Sequence, residues 1–157
     1  LLPAKGTAGD AAYVCESASR EETLPSSTSL YVLADCGTAS ASEALIGALI
    51  SHEVIDFQDV FISKIDSSLA SGSTKNGTTY GKGCMQSIIP NERTGEALRL
   101  TTALIYWPNG KCVNDAPLST SDGCVNIDMP FFTNSSSEGL EQLLQILSER
   151  DDLVLAA

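Results

Sequence analysis

Two short stretches hold residue types able to do covalent chemistry. The first, Gly37-Thr38-Ala39-Ser40-Ala41-Ser42-Glu43, follows the apolar run Leu30 to Leu33. The second, Tyr80-Gly81-Lys82-Gly83, sets a lysine between two glycines in a chain with nine basic residues against twenty acidic ones. A serine hydroxyl is a poor nucleophile until a base takes its proton. Between a strand end and the first turn of a helix, that hydroxyl projects from the fold and lies near helix amides that lack intrahelical partners. Ser40 and Ser42 both suit the place. A lysine acts as a base only when its surroundings make the ammonium unstable, and flanking glycines let the backbone carry it to a cleft without obstruction. Each stretch also has a plainer reading, the serines as helix caps and the lysine as a salt-bridging residue in a turn. The second stretch is not a phosphate loop, because the GxxxxGK[ST] spacing is missing and Cys84 follows Gly83.

The elements that must position these residues follow from the hydrophobic pattern. Leu30 to Ala34 reads as a short buried strand, and Ala44 to Ile50 as a buried helix, with Leu45, Ala48 and Leu49 on one face and Gly47 allowing close packing. Strand, tight turn and helix make one half of an α/β crossover. A short strand is expected at Val60-Phe61-Ile62 and a surface loop over Ser67 to Thr79. Cys84 to Ile89 alternates loosely up to Pro90, and Ala97 to Tyr106 alternates clearly. Trp107 to Lys111 then turns into a shorter strand at Cys112-Val113. Ala12 to Cys15 is a further strand candidate. Pro117 to Thr133 reads as irregular. Ser135 followed by Glu138 is a capping box, so a helix is expected from about Ser136 to Arg150, with Leu140, Leu143, Leu144 and Leu147 as its stripe.

At 157 residues the chain suits one ordinary core, and 43% hydrophobic residues are too many for a disordered chain. No apolar run approaches the roughly twenty residues that span a bilayer. A net charge of −11 offers no positive field for nucleic acid. The five cysteines form no CxxC pair and there is one histidine, which argues against a zinc cluster. Cys112 and Cys124 flank a turn-rich segment that a disulfide could close. Asn76-Gly77-Thr78 and Asn134-Ser135-Ser136 match glycosylation acceptors.

Gly37 to Ala44, followed by Gly81-Lys82-Gly83-Cys84-Met85-Gln86, closely resembles the carboxyl-terminal processing, or tail-specific, serine peptidases. So does Ala97 to Ala103 with Tyr106, Pro108 and Gly110 behind it. The resemblance implies that Ser40 is the nucleophile, Lys82 the general base, and Gln86 the residue that positions the lysine. In a strand, Lys82, Cys84 and Gln86 would share one side. The implied chemistry is acyl transfer, with the Ala41 amide as first oxyanion donor and no metal or cofactor. The expected fold is α/β, a mixed sheet with a buried crossover helix and flanking hairpins. Residues 1–157 would form a partial peptidase catalytic domain: an irregular lead-in at 1–29, the motif-bearing core at 30–115, and a loop and terminal helix at 116–157. The implied substrate is a polypeptide tail, in an extracytoplasmic compartment.

The chain also departs from that pattern. The family's glycine-rich oxyanion turn does not appear between Leu1 and Ser29, nor does an upstream peptide-binding domain. The late Gly-x-Gly-Ile-x-Pro-Asp stretch is replaced by Asp115 to Gly123. The site is therefore expected to need an amino-terminal part of the same protein or another copy. Two rivals remain: an inactive peptidase-like interaction module, and another serine hydrolase acting on an amide or ester. The second would require a second activating lysine in the cleft or a histidine, for which the candidate is His52 with Glu43 or Asp56 as orienter. His52 follows the buried helix and otherwise reads as a solvated or capping residue. Glu43 has two readings, as a cap for helix amides or as a hydrogen-bonding group within the site. Cys84 reads as a structural thiol and Trp107 as a core aromatic.

Overall fold

The structure is a computed structural model and describes residues 4–5, 24–25, 27–64, 77–131 and 136–155. The strand candidate Ala12 to Cys15, both glycosylation asparagines, the capping Ser135 and most of the Ser67 to Thr79 loop lie outside those residues. Two compact units partition the chain. One takes Leu1–Leu30, Ala39–Ile55 and Gly81–Pro117; the other takes Tyr31–Thr38, Asp56–Tyr80 and Leu118–Ala157.

The first unit carries the antiparallel pairing. Strands β4 (Cys84–Pro90) and β5 (Ala97–Ile105) form a hairpin, and β1 (Ala4–Lys5) pairs with the far end of β5, giving the order β1-β5-β4. Pro90, which has no N–H to give, ends β4. Between Met85 and Gln86 the partner on β5 jumps from Ala103 to Thr101, so the extra residue of the bulge is on β5. Helix α1 (Ala41–Ser51) belongs to this unit. Its buried residues are Glu43, Ala44, Ile46 and Gly47, while Leu45 is exposed. The face expected from Leu45, Ala48 and Leu49 is therefore rotated. A carboxylate occupies the buried side, where hydrophobic periodicity looks for an apolar residue. Gly47 packs on the indole of Trp107, which is fully buried as a core aromatic. Trp107 opens a turn in which its N–H donates to the Lys111 carbonyl, and the Lys111 ammonium lies 5.3 Å from its ring centroid. Cys112-Val113 forms no strand, so the expected second hairpin is absent there. Cys112 is a free thiol, and the loop to Cys124 is not closed by a disulfide.

The second unit carries the parallel pairing, in the order β2-β3-β6, from Val32–Ala34, Val60–Ser63 and Val125–Ile127. Parallel neighbours need a crossover, and the connection from β2 to β3 contains α1. The central strand β3 is buried at every residue, as a strand paired on both sides should be. Helix α2 (Glu138–Leu155) is present as expected and runs beyond Arg150. Leu143, with Leu140, Ile146 and Leu147, packs against Phe61, Ile127 and Phe131. Leu144 is exposed instead, because the stripe centres on Leu143 and the next residue falls about 100° round the helix. Strand β6 lies within Pro117 to Thr133, the stretch expected to be irregular, and is held by its pairing with β3. The α/β class, with parallel and antiparallel pairing both present, agrees with expectation. Each kind of pairing has its own three-stranded sheet.

Candidate active site

Ser40, Ala41, Glu43, Lys82, Cys84 and Gln86 all belong to the first unit. Ser40 is the N-cap of α1, and its backbone has φ 54 and ψ −112, a positive φ that a residue with a Cβ rarely adopts. Such strain persists only where surrounding bonds over-determine the conformation. Here the Ser40 N–H donates to Glu43 Oε2 at 3.1 Å, the carboxylate half of a capping box. Ala41 is the first helical residue, so its amide is one of the four that have no partner within the helix.

The glycines around Lys82 serve different ends. Gly81 has φ +83, open to glycine at little cost. Gly83 has no room for a side chain, because a Cβ built there would stand 2.6 Å from the Asn114 backbone nitrogen. On either side of Lys82 the chain is pinned by its neighbours' carbonyls. Asp115 N–H donates to the Gly81 carbonyl at 2.9 Å, and Ile105 N–H to that of Gly83 at 2.8 Å. Lys82 itself is half-buried.

One carboxylate joins the two stretches. Glu43 is fully buried; its Oε1 accepts the Gly81 N–H at 2.8 Å and its Oε2 the Lys82 N–H at 2.9 Å. Oε2 therefore serves Ser40 and Lys82 together. Both readings of Glu43 hold at once, since it caps the helix and bonds across the site. The Ser-x-x-Glu spacing signalled the first role, and nothing local signalled the second, made to amides 38 and 39 residues away.

Gln86 lies exposed on β4 opposite Thr101. The bulge leaves the alternation of β4 intact, so Cys84 and Gln86 share a face of the strand; Lys82 precedes its first residue. Cys84 is a half-buried free thiol. His52 is the exposed C-cap of α1, at the other end of an 11-residue helix from Ser40. At 1.5 Å per residue the two are roughly 18 Å apart, so His52 is not a base for Ser40. Among the described residues, no group of three or more His, Cys, Asp or Glu is placed to hold a metal ion, and no helix is long and apolar enough to cross a membrane.

No protein-family model matches the chain. A stretch of 85 residues, 54% of the chain, is 40% identical to a carboxy-terminal-processing protease of Bartonella bacilliformis, and spans 15% of that protein's length. A solved photosystem II D1 C-terminal processing protease aligns over 66% of this chain and 21% of its own, at 30% identity and a TM-score of 0.45. Over the 85-residue stretch the chain is similar in sequence to a carboxy-terminal-processing protease, and it spans a small part of that relative's length.

Proposed function

We propose that this chain carries the Ser-Lys centre of a serine endopeptidase that cuts polypeptides near their carboxyl-terminal tails. The observation that carries the reading is the shared Glu43 oxygen. It brings the backbone of Ser40 and that of Lys82 to one atom, although 39 residues separate Glu43 from Lys82. Two stretches singled out for nucleophile and base chemistry thus meet, within a chain related to carboxy-terminal-processing proteases.

In the proposed reaction, Lys82 as a free amine takes the proton of the Ser40 hydroxyl as Oγ attacks the peptide carbonyl carbon. The new C–O bond leaves a tetrahedral oxyanion, to which the Ala41 amide donates at the helix N-terminus. Collapse breaks the C–N bond, and the lysine returns its proton to the departing amine. Water, deprotonated by the Lys82 amine, then attacks the acyl-enzyme carbonyl; the C–Oγ bond breaks, and the lysine returns the proton to Ser40 Oγ as the acid product leaves. Gln86 is assigned to orient the Lys82 amine. The second oxyanion donor is assigned to an amino-terminal part of the same protein or to another copy, and the site of action to the outside of the cytoplasm.

The test uses the full-length protein that contains this chain. Its Ser40→Ala and Lys82→Ala variants are compared with it in hydrolysis of an unstructured polypeptide and in labelling by a serine-directed fluorophosphonate. The expected result is an adduct on Ser40, loss of both signals in Ser40→Ala, and a fall of at least about 10³-fold in Lys82→Ala. Labelling at an undiminished rate without the lysine rejects the dyad. A protein that neither cuts nor labels with all its parts present is the inactive interaction module instead.

A further inference from the structure

We infer that Glu43 is a positioning residue, one that holds the nucleophile turn and the lysine clamp in a single register through hydrogen bonds from their main chains. The inference rests on the Ser-Lys reading and adds a third group to it. Carboxylates are almost never fully buried unless their lone pairs are used, and Glu43 is fully buried. Three backbone amides converge on it: Ser40, Gly81 and Lys82. Bonds to the main chain do not depend on the rotamers of Ser40 and Lys82, so they fix where each α-carbon sits.

The donors are arranged for an anion. Gly81 and Lys82 present consecutive N–H groups to the two oxygens, the geometry of a backbone nest. The third donor belongs to the residue with the strained backbone. The capping bond from Ser40 is thus both a helix-start bond and part of what holds a positive φ in place. Only an acceptor-only group fits all three amides. An amide side chain of the same shape would turn an NH₂ toward at least one N–H. Aspartate keeps the charge type but falls one methylene short, so it cannot meet both stretches without moving one of them.

A misplacement of about 1 Å at a reacting group can cost on the order of 10² in rate. In the full-length protein, Glu43→Gln should therefore lower the fluorophosphonate labelling rate constant and kcat by about 10²-fold, with KM within about threefold. The labelling amplitude per folded molecule should stay whole. Glu43→Asp should recover part of the loss. Amide hydrogen exchange at Gly81 and Lys82 should speed up in both variants, a readout independent of activity. A residue needed only for folding behaves otherwise: it lowers the number of competent molecules and leaves each of them reacting at the normal rate. That outcome, in whichever of the two variants folds, overturns the inference, as does unchanged exchange at Gly81 and Lys82. Ser40→Ala separates the two claims. If it still labels, the Ser-Lys reading falls and this inference with it. If it is silent while Glu43→Gln reacts normally, only the role of Glu43 is rejected.

Discussion

Gly47 in α1 and Trp107 after β5 are in contact so close that a Cβ on Gly47 would stand 2.1 Å from the indole. Two effects compete in Gly47→Ala. Helix propensity favours alanine by about 1 kcal/mol. Overpacking against a buried ring costs about 1–3 kcal/mol and moves the ring. The overlap is deep and Trp107 is fully buried, so overpacking should win. The variant is expected to lose about 1–2 kcal/mol in urea unfolding. Its emission should also shift, and Trp107 is the chain's one tryptophan. An equally stable variant with unaltered emission would mean that the helix does not press on the ring.

Ser40 offers a test of strain apart from catalysis. Its φ of 54 penalises any residue that carries a Cβ. Ser40→Ala removes the hydroxyl and keeps the penalty; Ser40→Gly removes both. Both variants should be inactive, and Ser40→Gly should be the more stable by about 1 kcal/mol in chemical denaturation. The reverse order would show that the turn is relaxed.

The clamp glycines should differ in what they cost. Gly81→Ala meets an unfavourable φ of +83 and a Pro117 side chain at 3.0 Å, for about 1–2 kcal/mol. Gly83→Ala meets the Asn114 backbone nitrogen at 2.6 Å. The overlap at Gly83 is the deeper, below any ordinary Cβ contact and against backbone, so Gly83→Ala should cost more, about 2–3 kcal/mol. It should also displace Lys82 and lower kcat by on the order of 10²-fold. Parallel thermal melts and turnover rates of the two variants check the order.

Much of the site was legible because its signals are local. A serine three residues before a glutamate marks a helix start, and a lysine between two glycines marks a place where the chain is crowded or bent. The glycines proved to answer two separate needs, a positive φ at Gly81 and a missing Cβ at Gly83. What the sequence hid is non-local. The bonds from Gly81 and Lys82 to Glu43 appear only once the fold closes, and hydrophobic periodicity takes a buried carboxylate for a surface residue. That error turned the expected face of α1 and put exposed Leu45 inside. Strand β6 was hidden for another reason. Three residues, Val125–Ile127, are too few to show a period, and their strand exists through pairing with β3.

Adjacent leucines in α2 put the docking of that helix to the test. Leu143 is buried against Phe61, Ile127 and Phe131, whereas Leu144 is exposed. Leu143→Ala opens a cavity as well as losing transfer energy, and should cost about 2–5 kcal/mol. Leu144→Ala gains a little helix propensity, loses little burial, and should stay within about 0.5 kcal/mol of the parent. Urea unfolding of the two variants reads the difference directly. Equal losses would mean that the helix sits rotated from the register described, with its stripe shared between both positions. A large loss confined to Leu144→Ala would mean that another surface covers the outer face of α2 in solution.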